Sequence, residues 1–204
     1  MISRKTSNMA KKILSLLLCC CLFGSIYAQS VQKITIKNPG TLEKALSKEQ
    51  WNLVEQLTVK GNINKDDFRF IANLSKENGR LRIIDLKKTQ LNEVGMKLFE
   101  DNQNLQIIIL PNTITAIGKE AFSGCTNLIK ITLSNRLNSI GSKAFKNCKS
   151  LTSISIGKYV NWIGEGTFDG CSSKIQYKIA KGNSDFHLGE NDAIYNKYGK
   201  QITE

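Results

Sequence analysis

The 204-residue sequence predicts an α/β solenoid: a short horseshoe of 23-residue coils, with a parallel β-sheet on the concave face and an α/β cap at the N-terminal end. Three observations predict it. Aliphatic residues recur 23 apart, as in Leu105/Leu128/Leu151, Ile108/Ile131/Ile154, Leu110/Leu133/Ile156 and Ile114/Leu137/Val160. The same register carries Ile117/Ile140/Ile163, Gly118/Gly141/Gly164, Ala121/Ala144/Thr167, Phe122/Phe145/Phe168 and Cys125/Cys148/Cys171. Inside each unit, a strand pattern is followed by turn residues and a second short extended piece. A globular domain has no reason to hold such a register. A solenoid does, because each coil buries its apolar side only against the next.

Leu105 to Asn127 shows how one coil closes. Alternation puts Ile108 and Leu110 on one face of a strand and Ile109 on the other. Pro111-Asn112 is turn chemistry, and Ile114 to Ile117 is a second extended piece. Gly118 allows a backbone turn that a Cβ would hinder. Lys119 to Cys125 suits one helical turn with Ala121, Phe122 and Cys125 inward. Each large buried side chain is worth roughly 1.5–3 kcal/mol, so a coil is marginal alone and firm in a stack.

Upstream the register decays. Leu81, Ile84, Leu86, Leu91, Val94, Gly95, Leu98 and Phe99 still fit, but Asn102 stands where Cys is expected, and Leu81 to Leu105 is one residue too long. Residues 29–79 read as the cap: a strand at Val31–Lys37, a helix from Thr41 to Gln50 capped by Thr41, a strand around Leu57 and Val59, and a longer helix through Asn73 capped by Asn64. Asp66 and Asp67 fall in its first turn, where the helix dipole favours acids. The coils occupy residues 80–174. Ile175 to Ile179 is a last strand, and the polar remainder of 175–204 reads as a loosely folded terminal cap.

Residues 1–28 read as a secretory signal peptide: basic Arg4, Lys5, Lys11 and Lys12, an apolar run from Ile13 to Phe23, and a small residue at Ala28. The run is too short to span a bilayer. A lipid anchor on Cys19, Cys20 or Cys21 is the rival, opposed by the bulky Leu18 before the first. Removing 28 of 204 residues leaves 176; removing four of 29 basic residues against 17 acidic ones leaves a net charge of +8. No spanning segment remains. Lysines recur at Lys143, Lys146 and Lys149 and at Lys174, Lys178 and Lys181. In an exported protein such a face would meet anionic glycans or an acidic partner rather than nucleic acid; a solvated surface is the simpler account. Three cysteines remain, all in one column. They read as a buried ladder of thiols, with a disulfide between neighbouring rungs as the alternative.

The unit L-x-x-I-x-L-P-x-x-I-x-x-I-G-x-x-A-F-x-x-C, seen as Leu105 to Cys125, resembles the BspA-like leucine-rich repeat of bacterial surface proteins. The likeness covers roughly 81–174. It departs at Ser134 and Gly157, which stand where the first unit has Pro111. Val59 to Phe68 is similar to what precedes such repeats in secreted proteins of gut and oral anaerobes, and the tail from Glu190 to Lys200, with Asp192-Ala-Ile-Tyr-Asn-Lys-Tyr-Gly, resembles a degraded D-G-V-L-Y-N-K segment of longer members. The resemblance implies a secreted or cell-surface module for adhesion to host matrix or other bacteria, and no catalytic residues or cofactor.

Candidate binding residues follow from the coil. The outward strand columns are Ile83, Ile107, Lys130, Ser153 and Asp85, Ile109, Thr132, Ser155. They run from aliphatic to hydroxyl-rich, a face suited to a protein or glycan ligand; the aliphatics also simply favour a strand. Trp162 shares a column with Ala116 and Ser139, so its indole projects outward beside small residues, as a binding ledge or beneath the tail through Tyr177 or Phe186. Catalysis is a poor reading. His187 is the only histidine, far in sequence from cysteines expected to be buried, and His187, Glu190 and Asp192 match no strong metal-ligand spacing.

Overall fold

A computed structural model describes residues 30–77 and 79–203, so the signal-peptide reading lies outside the described residues. The chain runs β1 (Val31–Ile36), α1 (Leu42–Ala45), α2 (Lys48–Trp51), β2 (Gln56–Asn62), α3 (Lys65–Glu77), β3 (Ile83–Gln90), β4 (Glu93–Val94), β5 (Ile107–Ile109), β6 (Ala116–Ile117), β7 (Lys130–Thr132), β8 (Ser139–Ile140), β9 (Ser153–Ile156), β10 (Trp162–Ile163), β11 (Gln176–Ile179), β12 (Phe186–Leu188) and β13 (Ile194–Asn196).

The 23-residue register becomes two parallel sheets. The main sheet has the order β1-β2-β3-β5-β7, and a narrow second sheet the order β10-β8-β6-β4. Partners are the repeat equivalents: Ile108 faces Ile131, and Ile117 faces Ile140. Both cap strands extend the main sheet, since Gln56 pairs with Val31 on one side and Ile83 on the other. The cap is thus built in the same parallel register as the coils.

The core is the set of inward columns. Leu105, Ile108, Leu110, Ile114, Ala121, Phe122 and Cys125 are all buried, as are their equivalents in the next coil apart from the half-buried Leu133. Phe99, Phe122, Phe145 and Phe168 stack nearly parallel, with ring centroids 5.1, 5.5 and 5.9 Å apart.

The third side of each coil is not helical. It is a chain of tight turns with two left-handed residues per coil: Lys97/Glu120/Lys143/Gly166 and Asp101/Gly124/Asn147/Gly170. Turn bonds such as Ser123 N–H to Glu120 C=O use alternate amides. The amides between them reach the next coil: Glu120, Phe122 and Gly124 N–H donate to Ser142, Ala144 and Lys146 C=O at 3.0, 2.8 and 2.8 Å. A helical turn would direct those donors back along its own chain; here they tie the coils together. Gly118 and Gly141 serve close approach rather than a turn. A Cβ on either would run into the backbone of the preceding coil at Met96 or Lys119.

The cap departs from expectation in two places. The Thr41–Gln50 helix is two single turns, because Leu46 is extended and buried between them. Ser47, not Thr41, forms the cap, in a reciprocal box with Gln50. The Thr41 hydroxyl donates to Asn38 C=O instead. Helix α3 runs on to Glu77, and Asn64 caps it as expected, its Oδ1 accepting from Asp66 and Asp67 N–H.

Candidate functional site

The structure puts the nine candidate residues on two separate surfaces. Eight lie in the outward columns of the main sheet and its continuation. Val31, Gln56, Ile83, Ile107 and Lys130 are in register, as are Lys33, Thr58, Asp85, Ile109 and Thr132. The aliphatic patch of Ile83, Ile107 and Ile109 is therefore bordered by polar residues on both flanks, not one.

Between β7 and β9 the main ladder breaks. β9 pairs with β11 in a sheet of its own, Ser153 facing Gln176 and Ser155 facing Lys178. At the margin, Thr152 N–H still reaches Ile129 C=O at 3.3 Å; the matching bond one coil earlier, Ile129 N–H to Gln106 C=O, is 2.8 Å. A cleft of about 320 Å³ opens there, lined by Lys130, Ile131, Thr132, Leu133 and Ser134, with Ser153 and Ser155 opposite. The side chains explain the break. Ile83–Ile107 and Asp85–Ile109 give way to Lys130–Ser153 and Thr132–Ser155, which offer little cross-strand packing. Hydroxyls from both lips and the Lys130 ammonium thus surround one opening, suited to hydrogen-bonding a polar or anionic ligand.

Trp162 lies on the second sheet, beside Ser139, which in turn faces Ala116. It is 49% exposed, so the indole projects outward. The tail does not bury it. Tyr177 packs edge-on against Phe168 at 5.4 Å. Phe186 lines a groove of about 250 Å³ with Trp162, Asn161, Asp185, Lys197 and Tyr198. The ledge is open, with the tail as one wall.

That tail is ordered, in contrast to the loose cap expected. β12 and β13 form an antiparallel hairpin that buries Phe186, Ala193 and Ile194. Asn183 ties it to the last full coil: its Nδ2 donates to Gly157 and Val160 C=O at 2.8 and 2.9 Å, and its Oδ1 accepts from Asp185 and Phe186 N–H.

The three cysteines among the described residues, Cys125, Cys148 and Cys171, are free thiols, and each Sγ–H donates one coil back, to Phe99, Phe122 and Phe145 C=O at 3.1–3.2 Å. Cys125 and Cys148 are buried, while Cys171 is only partly covered, because no full coil follows it. Burial pushes the Cys125 thiol up to about 12 and Cys171 up to about 11, and raises Cys148 further. Such thiols are poor nucleophiles at neutral pH. His187 stacks on Tyr195 at 6.0 Å. Among the described residues, no group of three or more His, Cys, Asp or Glu side chains is placed to hold a metal ion.

Sequence reasoning missed one surface and one buried group. A cleft of about 410 Å³ in the cap is walled by Trp51 and Phe70, whose rings meet edge-on at 5.2 Å, with Glu43, Asp66 and Arg69 at its rim. Asp67, read as a helix-dipole residue, is 2% exposed. It accepts from Gly40, Leu42 and Asn64 N–H at 2.6, 2.9 and 3.0 Å, clamping α1 to α3. Its signal in sequence was weak, since its partners are backbone amides up to 27 residues away.

The stacked coils, their Phe and Cys columns and the linking turns match a family model described as BspA type leucine rich repeat region, in six copies over residues 62–195. The chain belongs to the BspA type leucine rich repeat family. Its repeat region thus reaches beyond the 81–174 over which the motif is legible by eye. The crystal structure of the pneumococcal vaccine antigen PcpA superposes with a TM-score of 0.55 at 23% identity, over 71% of this chain and 35% of that one, a likeness of fold. A leucine-rich repeat protein from Bacteroides ovatus matches at 29% identity and TM-score 0.47, over 58% of this chain and 28% of that one. A leucine rich cell surface protein from Faecalibacterium prausnitzii matches at 17% identity and TM-score 0.48, over 84% and 48%. This BspA type chain therefore spans less than half of each of these structures. None of the curated proteins matches it.

Proposed function

We propose that the chain is an exported binding module that holds a protein or glycan at a cell or matrix surface. The primary contact is the concave cleft at the break between β7 and β9. One observation carries this reading: the ladder opens where Lys130, Thr132, Ser153 and Ser155 place a charge and three hydroxyls around a single cleft. Polar groups that converge on a concavity fix a ligand's orientation, and the aliphatic strip beside them supplies apolar area. Membership of the BspA type family supports a place at the cell surface. Neither cofactor nor catalysis enters this reading, and no helix among the described residues is long and apolar enough to cross a membrane.

The test is a screen of residues 29–204 against matrix proteins and glycans, repeated with Ser153→Arg and Ser155→Arg, which fill the cleft. Loss of the captured ligand by at least tenfold in both variants is the expected result. Full binding by both variants would place the contact elsewhere, with Trp162→Ala as the next variant to try. A second reading, a ligand-free scaffold in a surface assembly, is favoured by the incompletely covered last coil.

A further inference from the structure

The turn side of the stack ends in a row of donors. In three successive coil pairs, alternate amides donate forward: Lys97, Phe99 and Asp101 to Lys119, Ala121 and Ser123 C=O; Glu120, Phe122 and Gly124 to Ser142, Ala144 and Lys146 C=O; Lys143, Phe145 and Asn147 to Glu165, Thr167 and Asp169 C=O. The last three bonds measure 3.0, 2.9 and 2.7 Å. The register then assigns the next row to Gly166, Phe168 and Gly170. Their N–H groups have no acceptor among the described residues, although Asp169 and Cys171 still close the turns.

The tail leaves this row open. Asn183 anchors the hairpin at Gly157 and Val160, on another part of the coil. The hairpin tip at Asn191, Asp192 and Ala193 forms the far wall of a cleft of about 600 Å³, whose near wall includes Phe168, Gly170, Cys171 and Ser173. Tyr177 already closes the phenylalanine column edge-on, so the cleft borders main chain rather than open core.

We propose that this cleft binds a turn-forming peptide segment of a partner protein, which adds as the next rung through alternate carbonyls. The occupant follows from the bonding pattern. Every earlier row of these donors is filled by three carbonyls spaced two residues apart on a chain of tight turns, so the occupant is a segment that folds into the same turns. A second copy of the chain is a poorer fit. Its corresponding carbonyls are those of Met96, Leu98 and Glu100. Glu100 C=O already accepts from Lys76 Nζ at 3.1 Å, and α3 covers that end of the stack through Phe68 on Phe99. The cleft is distinct from the concave one, so the two proposals fail separately.

The probe is a synthetic peptide of residues 137–147, which in the folded chain offers the Ser142, Ala144 and Lys146 carbonyls to such a row. Amide exchange is followed by NMR on residues 29–204. The expected result is at least tenfold slower exchange at Gly166, Phe168 and Gly170 together, abolished by Ser173→Trp, which fills the cleft, and unchanged by Ser153→Arg. Unaltered exchange at all three amides with millimolar peptide overturns the proposal. Protection that appears without peptide and grows with protein concentration also overturns it, by identifying a second copy as the occupant.

Discussion

The two ends of the solenoid are closed by different chemistry. At the N-terminal end, α3 lies over the first coil: Phe68 meets Phe99 edge-on at 5.6 Å, and Asn102 Nδ2 donates to the buried Ser75 hydroxyl at 2.9 Å. Asn102 Oδ1 accepts from Asn104 and Leu105 N–H, so the residue replacing cysteine in its column turns a thiol rung into a polar joint. At the other end Tyr177 covers Phe168 in similar geometry, but Cys171 stays partly open and three amides lack acceptors among the described residues. Apolar closure is cheap to arrange, because any aromatic of suitable size caps the column. Closing the backbone row needs carbonyls at fixed spacing. The contrast teaches that a stack can end its core before it ends its hydrogen-bond ladder.

The largest effect expected of a single substitution is in the column both ends share. Phe145→Ala, packed between Phe122 and Phe168, should lose about 3–5 kcal/mol in denaturant unfolding. Phe168→Ala should lose less, because no full coil covers its outer face. Equal losses would mean that the C-terminal end is as firmly packed as the middle.

Next comes the clamp at the sealed end. Asp67→Ala leaves three backbone amides without their acceptor, and bonds to a charged group are worth roughly 1.5–3 kcal/mol. A loss of about 2–3 kcal/mol is expected. Asn183→Ala, the corresponding tie at the other end, should cost about 1 kcal/mol and show mainly as faster proteolysis of the hairpin. If Asn183→Ala destabilised the whole chain more than Asp67→Ala, the contrast between the ends would be reversed.

The sequence made one part of this contrast legible and hid the other. The columns from Leu105 to Cys171 announced themselves because burial constrains side-chain type at every turn of the register. The turn side was misread as helical because backbone conformation is written more faintly. Of its left-handed positions, Asp101, Gly124, Asn147 and Gly170 are residues that tolerate positive φ, a 23-residue signal that was there to be found, whereas Lys97, Glu120 and Lys143 give none. At the candidate site, strand alternation alone placed the outward columns, and their register follows the repeat. The ladder break was not legible, because it arises from what Lys130, Thr132, Ser153 and Ser155 fail to do for one another.

The thiols report the same gradient. Alkylation of the native protein should proceed at Cys171 first, then Cys125, with Cys148 last. Burial raises all three thiols above their ordinary value of 9.0. The folded state therefore holds its protons where the unfolded state releases them. Their contribution is fully present below pH 9 and falls as pH rises, through about pH 11 for Cys171 and about pH 12 for Cys125. Melting temperature should decline across that range, and Cys171→Ala should soften the first part of the decline. Uniform alkylation of all three thiols in native buffer would contradict a graded end.

The smallest stability effect belongs to Trp162. As an exposed residue its truncation to Ala should shift stability by no more than about 0.5 kcal/mol, so any loss of ligand can be read directly as loss of contact. Its emission tests how far the tail wall extends. With Trp51→Phe to leave one indole, the half-exposed ring beside Phe186 should be accessible to iodide yet less so than free tryptophan. Deleting residues 181–204 removes Phe186, Lys197 and Tyr198 from one side of the groove and should shift the emission to the red and steepen the quenching. A blue-shifted, protected indole in the intact chain would mean that the tail closes over Trp162 in solution. The C-terminal end would then be better sealed than its open backbone row implies. Unchanged quenching after the deletion would mean instead that the hairpin never forms a wall, and that the ledge belongs to the coil alone.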